Sequence, residues 1–336
     1  MRNFIIRNTL RLNFISRLWI LSILSITTVS SIAYAQSTYP NRPIKFIAPF
    51  PPGGTSDVLG RIMAQKLSDA LGQSVIVENR PGASGNIGHD IAAKAAPDGY
   101  TLLLSNSSTV VNNPHLFKQM SFDWYKDFSP ISLVAIAGLV LVVHPSVPVK
   151  SVSELTALAK SKPGQLNFGS GGKGIQSHIS GEMYKTAANV DIVHIPYKGT
   201  GVAVADLVAG QIHMVFSDMA PAVPFIKANK LRALAVTSPQ RSTTLPELPT
   251  MIELGFPNFE AANWWSIVTP KGVPNSIIDR INQELGKIMT SQEIKDSFEK
   301  LGVTPLYSEP SKVFELSRKE SPIIGEILRK AGVEKE

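Results

Sequence analysis

Pro51-Pro-Gly-Gly-Thr-Ser-Asp57 is a glycine-rich turn between a short apolar run, Ile44 to Pro49, and an apolar-periodic run, Ser56 to Leu71. The first run predicts a buried strand and the second predicts a helix. Gly169-Ser-Gly-Gly-Lys-Gly174 has the same surroundings farther along the chain. In a strand, turn and helix unit, the N–H groups of the turn and the positive end of the helix can hold an anion. The two turns therefore predict one anion site in each half of the chain, with ordinary tight turns as the alternative.

The order of the predicted elements indicates parallel sheets. Apolar runs at Val75 to Glu78 and Thr101 to Ser105 predict strands, and Asn86 to Ala96 predicts a helix between them. With the first strand and helix they make a βαβαβ series, which implies parallel strands. A second series of strands and helices starts at Leu139 to Val143 and ends with a strand at Leu231 to Val236. Both halves of the chain are therefore expected to be α/β.

The length of the chain favours two lobes, because one hydrophobic core seldom organises about 300 residues. Residues 36–138 and 261–336 are predicted to form lobe 1, and residues 139–260 are predicted to form lobe 2. The helices after residue 268 have no predicted strands of their own, so we expect them to pack on lobe 1. Segments crossing near Ser132 to Val142 and Glu260 to Val268 would join the lobes into a hinged clamp.

Residues 1–35 have the features of a secretory signal peptide. Four arginines accompany an apolar run, Leu18 to Val29, that is too short to span a bilayer, and Ala33-Tyr-Ala35 is a cleavage signal. The chain has no cysteine, which excludes disulfides, thiolate metal sites and a lipid-modified signal. Most of the net charge of +7 lies in the signal, so no nucleic-acid partner is expected. The mature protein is expected in the periplasm without a lipid anchor.

Seven motifs occur in order along the chain. The first ends where the first predicted strand begins, and the second contains the first glycine-rich turn. They are Tyr39-Pro-Asn-Arg-Pro-Ile44, Phe50-Pro-Pro-Gly-Gly-Thr-Ser-Asp57, Val77-Glu-Asn-Arg-Pro-Gly-Ala-Ser-Gly85, Pro97-Asp-Gly-Tyr-Thr101, His194-Ile-Pro-Tyr-Lys-Gly199, Leu231-Arg-Ala-Leu-Ala-Val236 and Leu248-Pro-Thr250. In order and spacing they resemble the Bug (TctC) family, periplasmic solute-binding proteins of tripartite tricarboxylate transporters. The resemblance implies an α/β, two-lobe periplasmic-binding-protein (Venus flytrap) clamp. Each lobe would be a mainly parallel sheet flanked by helices, and the clamp would close on a small carboxylate.

The resemblance also implies which residues hold the carboxylate, mainly through backbone amides, hydroxyls and ordered water. Two groups belong to the glycine-rich turns, and a third lies beside or beyond other strands, where α/β proteins present ligand contacts. The groups are Phe50, Gly54, Thr55 and Ser56 in the first turn; Ser170, Gly171 and Gly172 in the second; and Ser105, Ser107, Tyr197, Thr200 and Asp218 near strand ends. Apart from the resemblance, His178 on the predicted helix Ile175 to Thr186 is a further candidate for a ligand contact.

The expected partners are a small carboxylate and the membrane subunits of a tripartite tricarboxylate transporter. We expect a monomer with no cofactor, no metal and no catalytic residues. Two other functions stay open at the level of the sequence: a secreted two-domain α/β enzyme acting on an organic acid, and a ligand-sensing receptor for a signalling partner. The sequence also leaves open which carboxylate is bound, because backbone donors recognise the carboxylate and leave the rest of the ligand to the shape of the pocket.

Two more specific functions of the second half, dinucleotide binding and metal chelation, are not favoured. The turn Gly169 to Gly174 matches the dinucleotide fingerprint G-x-G-x-x-G, but Asp191 precedes the strand Ile192 to Ile195, where the fingerprint needs an acid at the strand's end. His178 and Glu182 have a spacing that could chelate a metal, but the sequence offers no third ligand. A pair on a helix face, or a His178 that donates into the cleft, is the preferred interpretation.

The roles of two aspartates and two tryptophans allow more than one interpretation. Asp57, at the start of a helix, is expected to cap it rather than to contact ligand. Asp218 follows a strand and could either accept a hydrogen bond from a ligand or cap the next helix. Trp264 and Trp265 are neighbours on a predicted strand, so they point to opposite faces, one into the core and the other toward the cleft.

Overall fold

The computed structural model describes residues 39–335. The predicted signal peptide, residues 1–35, lies outside them. All elements and contacts given below belong to the compact unit that begins at Arg42. In the described part of the chain, no helix combines the length and apolarity that crossing a membrane requires.

Eleven strands and nine longer α-helices make up the described residues. The strands are β1 (Ile44–Ala48), β2 (Val75–Asn79), β3 (Thr101–Asn106), β4 (Phe128–Gly138), β5 (Val140–Val143), β6 (Asn167–Ser170), β7 (Val193–Pro196), β8 (Met214–Ser217), β9 (Arg232–Val236), β10 (Ala262–Pro270) and β11 (Thr304–Pro305). The helices are α1 (Thr55–Leu71), α2 (Asn86–Ala93), α3 (Val152–Ser161), α4 (Gln176–Ala188), α5 (Thr200–Val208), α6 (Met219–Lys227), α7 (Asn275–Thr290), α8 (Gln292–Lys300) and α9 (Ser311–Lys330).

The strands form two sheets, one of six strands in the order β11-β4-β10-β3-β1-β2 and one of five in the order β7-β6-β8-β5-β9. In the first sheet β1 is parallel to β2 and β3, and β10 is antiparallel to β3 and β4. In the second sheet β6 is parallel to β7 and β8, and β5 is antiparallel to β8 and β9. Most strands of each sheet therefore run in one direction, which confirms the predicted α/β class, but the pairings between these described strands are mixed, four parallel and five antiparallel, because β10, β11 and β5 run against the rest.

Helices connect the parallel strands, as βαβ units require. In the first sheet α1 joins β1 to β2 and α2 joins β2 to β3; in the second, α4 joins β6 to β7 and α5 joins β7 to β8. This connectivity places the turns that follow β1 and β6 at the start of α1 and α4. Ligands of open α/β sheets bind beyond the carboxyl ends of such strands.

The last part of the chain completes the first sheet. β10 enters it between β3 and β4, and β11 pairs with β4 at its edge. The helices α7 and α9 pack on β4, and a core forms there around Phe128, Trp264 and Leu328. The C-terminal helices therefore lie against the first sheet, as expected from their lack of strand partners.

Candidate functional site

The first glycine-rich turn leads directly into the N-terminus of α1. Gly54 is the residue that precedes the helix, with extended backbone at φ −82° and ψ 168°. The N–H groups of Gly54, Thr55 and Ser56 have no acceptor among the described residues, because the first N–H groups of a helix lie ahead of any carbonyl partner. These donors and the positive end of the helix dipole make a place where an anion is stabilised.

Asp57 holds the shape of this turn. Its carboxylate accepts a hydrogen bond from the Gly53 N–H at 2.9 Å and from the Asn79 side-chain amide at 2.9 Å, and it pairs with Arg61 at 3.0 Å. Burial alone would raise the pKa of Asp57, but the bonds from Gly53, Arg61 and Asn79 keep it below its usual value. With its oxygens occupied by these partners, Asp57 stabilises the turn and the start of α1, which is the role favoured from the sequence.

Phe50 lies half-buried before the turn, beside Gly85. A Cβ atom at Gly85 would lie 2.4 Å from the Thr109 hydroxyl and 3.2 Å from the Phe50 ring. Because Gly85 also has a positive φ of 92°, only glycine lets the chain pass this close to both side chains. The ring of Phe50 thus forms an apolar surface next to the first turn.

One face of β10 links the first turn to the end of β3. The Trp265 indole N–H donates to Ser56 Oγ at 2.8 Å, which leaves the Ser56 proton free to donate elsewhere. Asn263 lies two residues earlier and so on the same face of the strand. Its Oδ1 accepts hydrogen bonds from the hydroxyls of Ser107 at 3.3 Å and Ser108 at 3.1 Å.

Asn263 also reaches the second sheet. Its Nδ2 lies 3.4 Å from Asp218 Oδ1, at the end of β8. Asp218 is the N-cap residue of α6 but makes no side-chain capping bond. Burial raises the pKa of the Asp218 carboxyl, and the hydrogen bonds from Asn263 and from the Thr200 hydroxyl oppose this effect only in part.

Thr200, at the start of α5, connects Asp218 to the second glycine-rich turn. A Cβ atom at Gly171 would lie 2.5 Å from the Thr200 backbone nitrogen and 2.8 Å from its hydroxyl, so the absence of a side chain at Gly171 permits this contact. Contacts therefore run without interruption from Ser56 in the first turn, across β10 and Asp218, to the second turn. The structure brings together five of the predicted site residues, which are Ser56, Ser107, Gly171, Thr200 and Asp218.

The second turn differs from the first because Ser170 at its start and two side chains of α4 accept several of its N–H groups. The Gly171 N–H donates to Ser177 Oγ at 3.0 Å, and the Gly172 N–H donates to Ser170 Oγ at 3.2 Å. The Gly174 N–H donates to His178 Nδ1 at 3.0 Å. Donation from Gly171 and Gly172 to a ligand stays a prediction, and it requires these internal bonds to give way.

His178 lies inside the second half rather than at a surface. Its ring is buried, stacks on His194 with 3.9 Å between centroids, and lies with Nε2 3.7 Å from Glu182 Oε1. Burial, with the nearby charges of Lys185 and Lys173, lowers the pKa of His178 to about 4. The neutral ring uses Nδ1 to accept the N–H of the second turn, so His178 fixes that turn, and its predicted donation to a ligand has no support from this geometry.

Ser105 and Tyr197 also have internal partners. The Ser105 hydroxyl lies 2.9 Å from His89 Nε2, and because His89 Nδ1 lies 2.9 Å from the Gly85 carbonyl and must donate to it, Ser105 is the donor to Nε2. This bond occupies the proton that Ser105 would offer to a ligand. The Tyr197 N–H donates to the Ser170 carbonyl at 2.9 Å, and burial together with Asp206 raises the pKa of its phenol to about 12.

The sequence missed Asn263, Ser108 and Ser177 as members of this arrangement. Asn263 carries a signal in hindsight, since it lies two positions before Trp265 and therefore on the same face of the strand. Among residues 39–335, no three His, Asp or Glu side chains come close enough together to hold a metal ion.

The chain is similar to known proteins over nearly its whole length. The TctC family, described as tripartite tricarboxylate transporter family receptor, matches residues 59–333. Protein BugT of Bordetella pertussis is 38% identical over 326 residues, which cover 97% of this chain and 98% of BugT. A protein encoded in the tcbD-tcbE intergenic region of Pseudomonas sp. strain P51 is 36% identical over 89% of each chain.

Solved structures agree with this result. The structure of R. palustris Rpa4515 with adipate has a TM-score of 0.84 at 32% identity and covers 89% of this chain and all of that one. Periplasmic binding protein BugD has a TM-score of 0.80 at 33% identity, over 89% of this chain and all of BugD. MatC from Rhodopseudomonas palustris with bound malate has a TM-score of 0.78 at 27% identity, over 86% of this chain and all of MatC. The chain belongs to the TctC family of tripartite tricarboxylate transporter receptors, whose members are periplasmic solute-binding proteins.

Proposed function

We propose that this protein captures a small carboxylate between its two sheets and delivers it to a tripartite tricarboxylate transporter. The observation that carries the proposal is the set of three N–H groups at the start of α1, on Gly54, Thr55 and Ser56, that have no acceptor in the described part of the chain. Hydrogen bonds connect this region to the second sheet through β10, because Trp265 donates to Ser56 and Asn263 contacts Asp218. A carboxylate is the simplest ligand that satisfies several such donors at once.

The ligands of related proteins support this ligand class. Rpa4515 was solved with adipate and MatC with malate, and both are small carboxylates. Ionised carboxylates have acceptor capacity on two oxygens, which suits a cluster of N–H and hydroxyl donors. In our proposal Thr55 and Ser56 add hydroxyls to the amides, and the Phe50 ring excludes water from one side.

The clamp that we propose has the lobes predicted from the sequence. Residues 36–138 and 261–336 would form lobe 1 and residues 139–260 lobe 2, with the β4 to β5 and β9 to β10 connections passing between them. Each lobe supplies part of the ligand's hydrogen bonds, so the full set forms only when the lobes are closed. A bound ligand would therefore shift the population toward the closed state, which a membrane partner can recognise.

We further propose that the protein is exported to the periplasm by a signal peptide cleaved after Ala35, and that it acts as a monomer without catalysing a reaction. The A-x-A motif at residues 33–35 supports the cleavage position. The solute-binding character of the family supports a binder rather than an enzyme.

Native mass spectrometry of the protein purified from periplasm tests the proposal, followed by a thermal-shift screen of carboxylates that includes adipate and malate. We expect a retained small anion, a rise in Tm with at least one carboxylate, and recovery of that compound unchanged after incubation. The methyl ester of the best compound is the control, because it keeps the shape and removes the negative charge. A Tm that no carboxylate raises, an equal rise with the ester, or chemical conversion of the compound would each contradict the proposal.

A further inference from the structure

The side chain of Asp218 is a carboxylate, and it lies in the arrangement of residues that we propose binds the carboxylate of a ligand. Its hydrogen-bond partners therefore bear on which ligands the site accepts. Asp218 follows β8 and lies at the start of α6, part-buried and facing residues of both sheets. Its known contacts are the side-chain amide of Asn263 and the hydroxyl of Thr200, neither of which is charged.

The position of Asp218 gives it an ordinary structural role that it does not fulfil. Aspartate at an N-cap normally accepts a hydrogen bond from an N–H in the first turn of its helix, and this bond stabilises the helix. Asp218 makes no such bond to α6. Its carboxylate is instead directed toward Asn263, whose other amide atom holds the hydroxyls of Ser107 and Ser108.

The charge of Asp218 is also uncompensated within the described residues. No lysine or arginine among residues 39–335 forms an ion pair with it, whereas Asp57 in the first turn has Arg61. Carboxylates removed from water are ordinarily paired with a cation or saturated with hydrogen-bond donors. The contact with Asn263 is long, at 3.4 Å, so the oxygens of Asp218 keep capacity for a further donor.

We infer that Asp218 selects a carboxylate ligand that also carries a hydrogen-bond donor, an ammonium or a hydroxyl group, and rejects ligands with a second carboxylate at that end. This inference rests on the proposed function. The α1 N-terminus would hold the ligand's carboxylate, and Asp218 would accept a hydrogen bond from the donor. A second ligand carboxylate would instead face the negative charge of Asp218 at short range, which is unfavourable in a site that excludes water.

Calorimetry with two matched sets of probes tests the inference. The three-carbon set is propionate, 3-hydroxypropionate, 3-aminopropionate and malonate, and the four-carbon set is butyrate, 4-hydroxybutyrate, 4-aminobutyrate and succinate. Each set varies only the group at one position, and the two sets place that group at different distances from the carboxylate. In at least one set we expect the hydroxyl or ammonium compound to bind at least about tenfold more tightly than both the parent acid and the diacid, as for a hydrogen bond to a charged group.

Asp218→Asn identifies the group that is responsible. The amide has nearly the same shape but no charge, so the preference for the ammonium compound over the parent should fall to less than about threefold, and binding of the diacid should strengthen. Asp69→Asn, at an exposed position on α1, is the matched control and should keep the wild-type order. Thermal unfolding establishes that both variants are folded; if Asp218→Asn is not, the order of the probes on the wild-type protein decides alone.

The outcomes separate the inference from the proposed function. Diacids that bind the wild-type protein as tightly as the donor-bearing acids, or a preference that persists in Asp218→Asn, would overturn the inference and leave carboxylate capture intact. Failure of both probe sets, together with no response to adipate or malate, would overturn both.

Discussion

Replacing Thr55 by proline removes one N–H group from the candidate anion site while leaving the helix able to form. Thr55 is the first residue of α1, and the N–H at this position has no partner inside the helix, so proline is tolerated there. Gly54, with φ −82° and ψ 168°, already has the extended backbone that a residue before proline adopts. The substitution therefore removes two proposed donors to the ligand, the N–H and the hydroxyl of Thr55, without removing a backbone bond of the helix.

The expected loss follows from the type of bond. A hydrogen bond to a charged group contributes about 1.5–3 kcal/mol, which corresponds to a Kd increase of about 10- to 150-fold. Thr55→Val removes the hydroxyl but keeps the N–H, so the comparison of the two variants separates the side-chain contribution from the backbone contribution. We expect the valine variant to lose affinity and the proline variant to lose at least as much. Isothermal calorimetry with the best carboxylate from the thermal-shift screen gives both values.

A second helix provides the matched control. Asn275 is the exposed first residue of α7 and follows Pro274, whose backbone is also extended, at φ −54° and ψ 136°. Asn275→Pro should change neither Kd nor Tm appreciably. If Thr55→Pro keeps wild-type affinity while its Tm matches that of the control, the N-terminus of α1 does not hold the carboxylate and the reasoning is refuted.

Four further predictions concern the second turn, stability against pH, affinity against pH, and closure. Gly171→Ala places a Cβ 2.5 Å from the Thr200 backbone nitrogen, so chemical denaturation should show a loss of about 1–3 kcal/mol in the free energy of unfolding. Gly201→Ala is the control, because its Cβ would have no atom within 4 Å, and it should be neutral or stabilising. Equal effects of the two substitutions would contradict the close contact at Gly171. Because burial lowers the pKa of His178 to about 4, the unfolded chain takes up a proton between about pH 6.5 and pH 4 that the folded chain does not, so the free energy of unfolding should fall as the pH is lowered through this window. His89 and His194, whose pKa values burial also lowers, add to this fall, and removing the share of His178, up to about 1.4 kcal/mol per pH unit, should make it less steep in His178→Gln. Between about pH 6.5 and 8.5 the same neutral ring predicts a nearly constant ligand affinity, and an affinity that falls above the usual histidine pKa in the wild type but not in His178→Gln would show that a charged imidazole takes part. Small-angle scattering should give a smaller radius of gyration with saturating ligand, and identical curves would indicate a rigid pocket.

Much of the fold could be predicted because its elements carry local signals. The strand expected at Val75 to Glu78 is found at Val75–Asn79, and the helix expected at Ser56 to Leu71 is found at Thr55–Leu71. Apolar periodicity and glycine-rich turns determine such elements over short distances. The strand β4, by contrast, was predicted only as a crossing segment over part of its length. Its eleven residues include a proline and serines, and its pairing with β10 and β11 depends on segments far away in the chain.

The candidate site shows the same division between local and distant causes. The turn before α1 was predicted from its own residues, and the N–H groups of Gly54, Thr55 and Ser56 have no acceptor among the described residues. In the second turn, the acceptor of the Gly171 N–H is Ser177, on the following helix, and sequence spacing alone does not show that a serine hydroxyl closes back on the turn. Asn263 and Asp218 meet only because two sheets built from separate parts of the chain come into contact.

A crystal structure of the protein with the best carboxylate from the screen tests the central claim most directly. Our account predicts that one carboxylate of the ligand lies at the N-terminus of α1, with an oxygen about 2.7–3.2 Å from the N–H nitrogen of Thr55 or Ser56, and that the other end of the ligand lies beside Thr200 and Asp218. Electron density for the ligand at another place, such as the cavity lined by Met120, Trp124 and neighbouring residues, with the α1 N-terminus holding only water, would contradict it.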